Sequence, residues 1–177
     1  MSEQTMSAAV VSAFGGPEQV VLAEVPIPRP AAGQLRVRVA AAGLNPVDGA
    51  VRAGVFGGGG QRLGLGWEVA GEIDEVGADV TGLRAGDRVV GLHHGAVKPL
   101  GTHAQYVVLD ATAVAAAPTT VDAVAAAGLP LGGLTAARAV DLLGRAPPAA
   151  VRLTRAPGRG GAGGRPLPPR GGRGGAA

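Results

Sequence analysis

Residues 34–41, QLRVRVAA, and residues 67–76, WEVAGEIDEV, decide how this chain folds. In the first, Leu35, Val37 and Val39 alternate with Arg36 and Arg38. A period of two residues is the mark of a strand with one buried and one solvated face. In the second, Val69, Gly71, Ile73 and Glu75 alternate with Glu68, Ala70, Glu72 and Asp74, and Gly77 ends the run. Such strands, separated by Gly- and Pro-rich turns, point to an all-β, barrel-like domain.

Outward from these strands the same grammar continues. Residues 8–14 and 19–25 read as short strands, separated by the turn signal Gly15-Gly16-Pro17. Pro26, Pro28 and Pro30 keep the next connection extended. Asn45-Pro46 suits a helix start over about 46–53, with Asn45 as cap and Gly54 as stop. Residues 88–91, 102–109 and 112–115 read as further strands. From Val121 the period changes, giving one helix through Gly128 and a second over Thr135–Leu143, where Thr135 is a candidate cap. The expected class is mainly β: a partly open barrel with two C-terminal helices.

Composition narrows the chemistry. The 177 residues include 32 glycines and no cysteine, so disulfides, thiolate metal sites and cysteine nucleophiles are excluded. No stretch approaches the roughly 18 apolar residues of a membrane span, and the N-terminus lacks the basic region of a secretory signal. A cytoplasmic protein with no membrane partner is expected. The net charge of +3 is uneven. Residues 145–177 hold seven arginines and no acid, leaving nine basic and thirteen acidic residues before them. That tail is drawn almost wholly from Gly, Arg, Pro and Ala, and is expected to be disordered. A GC-rich gene read in a wrong frame would also yield it. His93 and His94 are adjacent, so on a strand they diverge, and a loop position is expected rather than a metal site.

Several motifs in order carry a family resemblance. Gly43-Leu44-Asn45-Pro46-Val47-Asp48 with Arg52-Ala53-Gly54, Gly66-Trp67-Glu68-Val69-Ala70-Gly71-Glu72-Ile73, Gly86-Asp87-Arg88-Val89 and Gly101-Thr102-His103-Ala104-Gln105-Tyr106-Val107 resemble the N-terminal markers of medium-chain dehydrogenase/reductases. Ala126-Ala127-Gly128-Leu129-Pro130-Leu131 with Gly133-Leu134-Thr135-Ala136 is similar to the segment entering their cofactor domain. The nearest subgroup is the zinc-free quinone oxidoreductase type. The resemblance implies a GroES-like barrel over residues 8–118 after a flexible 1–7, and a helical exit over 119–144.

For function, it implies hydride transfer from NADPH to a small quinone or enone, and it leaves a homodimer open for full-length members. Where zinc members carry Cys and His, this chain has Asn45 and Trp67, which are not catalytic zinc ligands, so no metal is expected. Asn45 would line the nicotinamide cleft near the reacting carbonyl, or simply cap its helix. Thr135 would contact the nicotinamide through its hydroxyl, or cap the second helix. Trp67 and Phe56 would wall the substrate pocket. Asp48, Arg52 and Glu68 would form a supporting ion pair rather than do chemistry. The loops 57–63 and 93–100 are Gly-rich or plain and specify no substrate.

The likeness ends near Gly144, where a Rossmann domain should begin. The string Gly158-Arg159-Gly160-Gly161-Ala162-Gly163 matches a dinucleotide fingerprint in letters only. No buried strand precedes it, and the prolines after it cannot open a helix. The expectation is the N-terminal part of an oxidoreductase, inactive alone. Two other readings stay open: a nucleic-acid binder through an RGG-like tail, which lacks the aromatics that stack on bases, and a non-catalytic GroES-like module.

Overall fold

A computed structural model describes residues 4–142, so the tail 145–177 and the string at 158–163 lie outside the described residues. The chain divides at Ala136 into two units, the second of which contributes only the end of one helix to the described residues. The strands are β1 Thr5–Val11, β2 Val21–Pro26, β3 Gln34–Ala42, β4 Leu63–Gly64, β5 Glu68–Val76, β6 Arg88–Leu92, β7 Tyr106–Asp110 and β8 Val114–Ala116. The helices are α1 Pro46–Arg52, α2 Ala123–Ala127 and α3 Leu129–Leu142. No helix among them is long and apolar enough to cross a membrane.

The strands form a three-stranded sheet in the order β2-β1-β4 and a five-stranded sheet in the order β7-β3-β5-β6-β8. All pairs are antiparallel. The mainly β class, expected as a partly open barrel, is the observed one, with the sheets curled into a half-barrel. Leu35, Val37, Val69, Ile73, Val89, Val107 and Leu109 close the core of the larger sheet. Met6, Ala8, Val10 and Val25 form that of the smaller. With four aromatic residues in the whole chain, these cores rest on Val and Leu volume.

The structure departs from the sequence reading at four places. β1 starts at Thr5, inside the expected flexible end, and Met6 is buried. The strict alternation of β5 fails near its end. A register shift falls between Arg36 and Val37 as they pair across to β5, where Glu75 and Ile73 are their partners and Asp74 is the extra residue. A bulge re-aims the side chains after it. Asp74 and Glu75 both reach Arg36, Glu75 at 2.8 Å, while Val76 returns to Leu35 on the core side.

The expected strand over 102–109 forms only from Tyr106. The backbone of 102–105 stitches the two sheets together instead. Ala9 N donates to His103 O at 2.8 Å, Gln105 N to Ser7 O at 3.2 Å, and Val39 N to Gln105 O at 2.9 Å. Finally, α3 begins at Leu129 rather than Thr135. Pro130 sits in its first turn, where the missing N–H costs nothing.

Candidate functional site

Glu68 opens β5, and four polar groups converge on it. Its Oε1 accepts from Asn45 Nδ2 at 2.8 Å and its Oε2 from Leu131 N at 2.8 Å. Its backbone carbonyl accepts from the Thr102 hydroxyl at 3.0 Å and from Gly43 N at 3.3 Å. The start of α1 and the first turn of α3 therefore meet at one buried carboxylate, while the end of β3 is held to the same residue's backbone. A second carboxylate supports it from α1. Asp48 accepts from Asn45 N at 2.8 Å and from Gly66 N at 2.9 Å. Both acids are only 3% exposed, so each depends on these donors.

Local geometry explains the residue types. Gly66 has φ +96, and a Cβ there would meet the Thr102 hydroxyl and His103 N. Only glycine lets the backbone bend so that its N–H reaches Asp48. His103 Nε2 lies 2.9 Å from Gly43 O. A carbonyl only accepts, so that nitrogen carries the proton. The helix approach is set by alanine: Ala70, Ala126 and Ala127 are buried together, with Ala41, Val90 and Ala123 around them. Such small side chains bring α2 close to β5, and the turn after α2 then delivers Leu131 N to Glu68.

Asn45, Asp48 and Glu68 are thus brought together, and Thr135 is joined at one remove. Its hydroxyl donates to Leu131 O at 2.7 Å, four residues back in α3. Thr135 is not a helix cap, because α3 has already begun six residues earlier. The expected ion pair with Arg52 does not form among the described residues. Backbone and amide donors occupy both carboxylates instead, and Arg52 Nη1 is buried without a hydrogen-bond partner. Phe56 follows α1, is 48% exposed, and is not joined to this node.

Trp67, next to Glu68, packs against Val11, Val51, Leu63 and Leu65 with Ala96. Its carbonyl accepts from His93 N at 2.6 Å. Lys98 Nζ stands 4.4 Å from the Trp67 ring centroid and donates to His93 O at 2.8 Å. Burial lowers the Lys98 amine to about 8, against the pull of Asp48. His93 is lowered to about 4, first by burial and then by Lys98 and His94, with Asp110 opposing. The reading of 93–100 as a plain loop missed Lys98. One signal was in the sequence: Lys98 is the sole lysine in the chain. Among the described residues, no group of three or more His, Cys, Asp or Glu side chains could hold a metal ion.

Sheet order, the Asn45–Glu68 link and the glycine-dependent turn at Gly66 define a GroES-like domain. The chain belongs to the alcohol dehydrogenase GroES-like domain family of the medium-chain dehydrogenase/reductases, whose model matches residues 31–119. Its likeness is to the quinone oxidoreductase type. It is 37% identical over 124 residues to a quinone oxidoreductase of Pseudomonas aeruginosa, covering 70% of this chain and 37% of that protein. It is 35% identical over 133 residues to the chloroplastic NADPH-dependent alkenal/one oxidoreductase of Arabidopsis thaliana, covering 71% of this chain and 34% of that one. The structure of the quinone oxidoreductase from Coxiella burnetii superposes with a TM-score of 0.72 at 30% identity, over 78% of this chain and 45% of that one. The chain thus spans well under half the length of these curated relatives.

Proposed function

We propose that this chain supplies the substrate side of an oxidoreductase that reduces small quinones or enones with a nicotinamide hydride. The observation that carries the reading is the Asn45–Glu68 link: a neutral amide fixed at 2.8 Å by a buried carboxylate that also binds α3 through Leu131 N. An amide held this way presents a polar group of fixed orientation without adding charge, which suits a carbonyl that gains electron density as it is reduced. Asn45 and Trp67 offer no thiolate or imidazole, and the reading is zinc-free.

Asn45 and Thr135 fit the uncharged carboxamide end of a nicotinamide, since both are neutral and the Thr135 side is exposed. The cofactor, when bound, supplies the hydride. NADPH is the form proposed, in keeping with the Arabidopsis relative's name. Among the described residues every strand pair is antiparallel, so no parallel strand–helix–strand crossover of the dinucleotide-binding kind is present. Trp67 precedes Glu68 in the chain, and we take its indole as a wall of the proposed substrate pocket. Quenching of its emission by 2-methyl-1,4-naphthoquinone tests the reading. Saturable quenching, weakened in Asn45→Ala, supports it. Quenching that rises linearly without saturation, alike in both proteins, contradicts it.

A further inference from the structure

Lys98 is buried, with 7% of its surface exposed, and no acid lies within salt-bridge distance among the described residues. A buried ammonium without a paired carboxylate is costly, and a methionine or leucine would pack there more cheaply. What Lys98 does touch is specific. Its Nζ lies over the Trp67 ring and bonds His93 O, while His93 N bonds Trp67 O and Gly64 N bonds Lys98 O at 2.8 Å. The ammonium therefore ties the loop over 93–98 to the indole face, and the Lys98 backbone carbonyl ties it to β4.

We propose that Lys98 is a positioning residue: its charge holds the Trp67 indole in one orientation and so fixes the plane against which a flat quinone or enone lies. A cation over the face of tryptophan is the strongest of the cation–π pairs, and desolvation strengthens it. The substrate half of this inference rests on the quinone or enone reading above; the Lys98–Trp67 clasp does not. The charged or titratable groups that act on Lys98 are Asp48 from α1, which favours its proton, and His93 from its own loop, which in turn feels His94 and Asp110. His93 is already neutral above about pH 4.

Trp67 is the sole tryptophan of the chain, so its emission reports the clasp without substrate. Emission excited at 295 nm is followed from pH 6 to pH 10 in the whole chain, in Lys98→Met and in Lys98→Arg. The expected result is a transition with its midpoint near pH 8, where the Lys98 amine titrates. It is absent in Lys98→Met, and also absent in Lys98→Arg, whose guanidinium stays charged and retains the low-pH emission. Emission of Lys98→Met that matches the unmodified chain's at pH 6, or the same transition in Lys98→Met, overturns the proposal. Binding of 2-methyl-1,4-naphthoquinone is then compared below and above the transition, with weakening by about threefold expected on loss of the charge. Equal binding on both sides overturns the positioning role. A quinone that binds at neither pH, with the transition intact, contradicts the proposed function and leaves the clasp standing.

Discussion

Asp48 and Glu68 show how much rests on single side chains at this site. Asp48 is acceptor-only and serves two N–H donors, one on each oxygen. Asp48→Asn keeps the shape but turns one oxygen into a donor facing a donor. Urea unfolding is expected to show a loss of about 1–3 kcal/mol. A loss below about 0.5 kcal/mol, the range of ordinary surface changes, would mean that Gly66 or Asn45 finds another acceptor. His93 gives a pH-dependent expectation. Its folded pKa, about 4, lies below its ordinary 6.5, so the unfolded chain binds the proton more readily between those values. Its contribution to stability is complete above about pH 6.5 and is lost as pH falls towards 4. The urea midpoint should therefore fall more steeply over that window in the unmodified chain than in His93→Leu. Parallel curves would show that His93 is solvated.

At the scale of elements, the site depends on how closely α2 approaches β5. Ala126 is fully buried against Ala70, and nothing larger is accommodated without displacing the helix. Ala126→Leu is expected to cost about 1–3 kcal/mol and to break the Leu131–Glu68 bond. The Leu131 amide proton, slow to exchange in the unmodified chain, should exchange fast in the variant. Unchanged exchange would mean that α2 does not set the position of α3. This contact was not legible in the sequence, because runs of alanine show no hydrophobic stripe that points to a partner. The β3 and β5 strands were legible, because alternation survives wherever one face is buried. The bulge at Asp74 was not, since an inserted residue is invisible until the partner strand is known. The start of α3 was hidden for a related reason: Gly132 and Gly133 weaken a helix by about 1 kcal/mol each, so the sequence favours a later start than packing imposes.

At the scale of the whole molecule, the motifs from Gly43 to Val107 all fall within residues 31–119, the stretch that the family model matches. The convergence on Glu68 was only half legible. Asn45 and Glu68 stood out as motif positions, but Leu131 and Thr102 reach it through the backbone amide and a buried hydroxyl, and no residue type announces that. Assayed alone, the 177-residue chain is expected to oxidise NADPH with a quinone at no more than the uncatalysed rate. On the proposed reading the described residues meet only the nicotinamide end, and hydride transfer needs the ring held close to its acceptor. Ordinary enzymatic turnover by this chain would show that the phosphate contacts come from residues outside those described.

Whether a quinone lies against the Asn45–Glu68 node is decided by mapping backbone amide shifts of the whole chain on titration with 2-methyl-1,4-naphthoquinone. Saturable shifts are expected to cluster at Asn45, Trp67, Glu68, Leu131 and Thr135, reduced in Asn45→Ala. Shifts scattered over the surface, or clustered on the Arg36 face of the larger sheet with Asn45 and Trp67 silent, would contradict that placement.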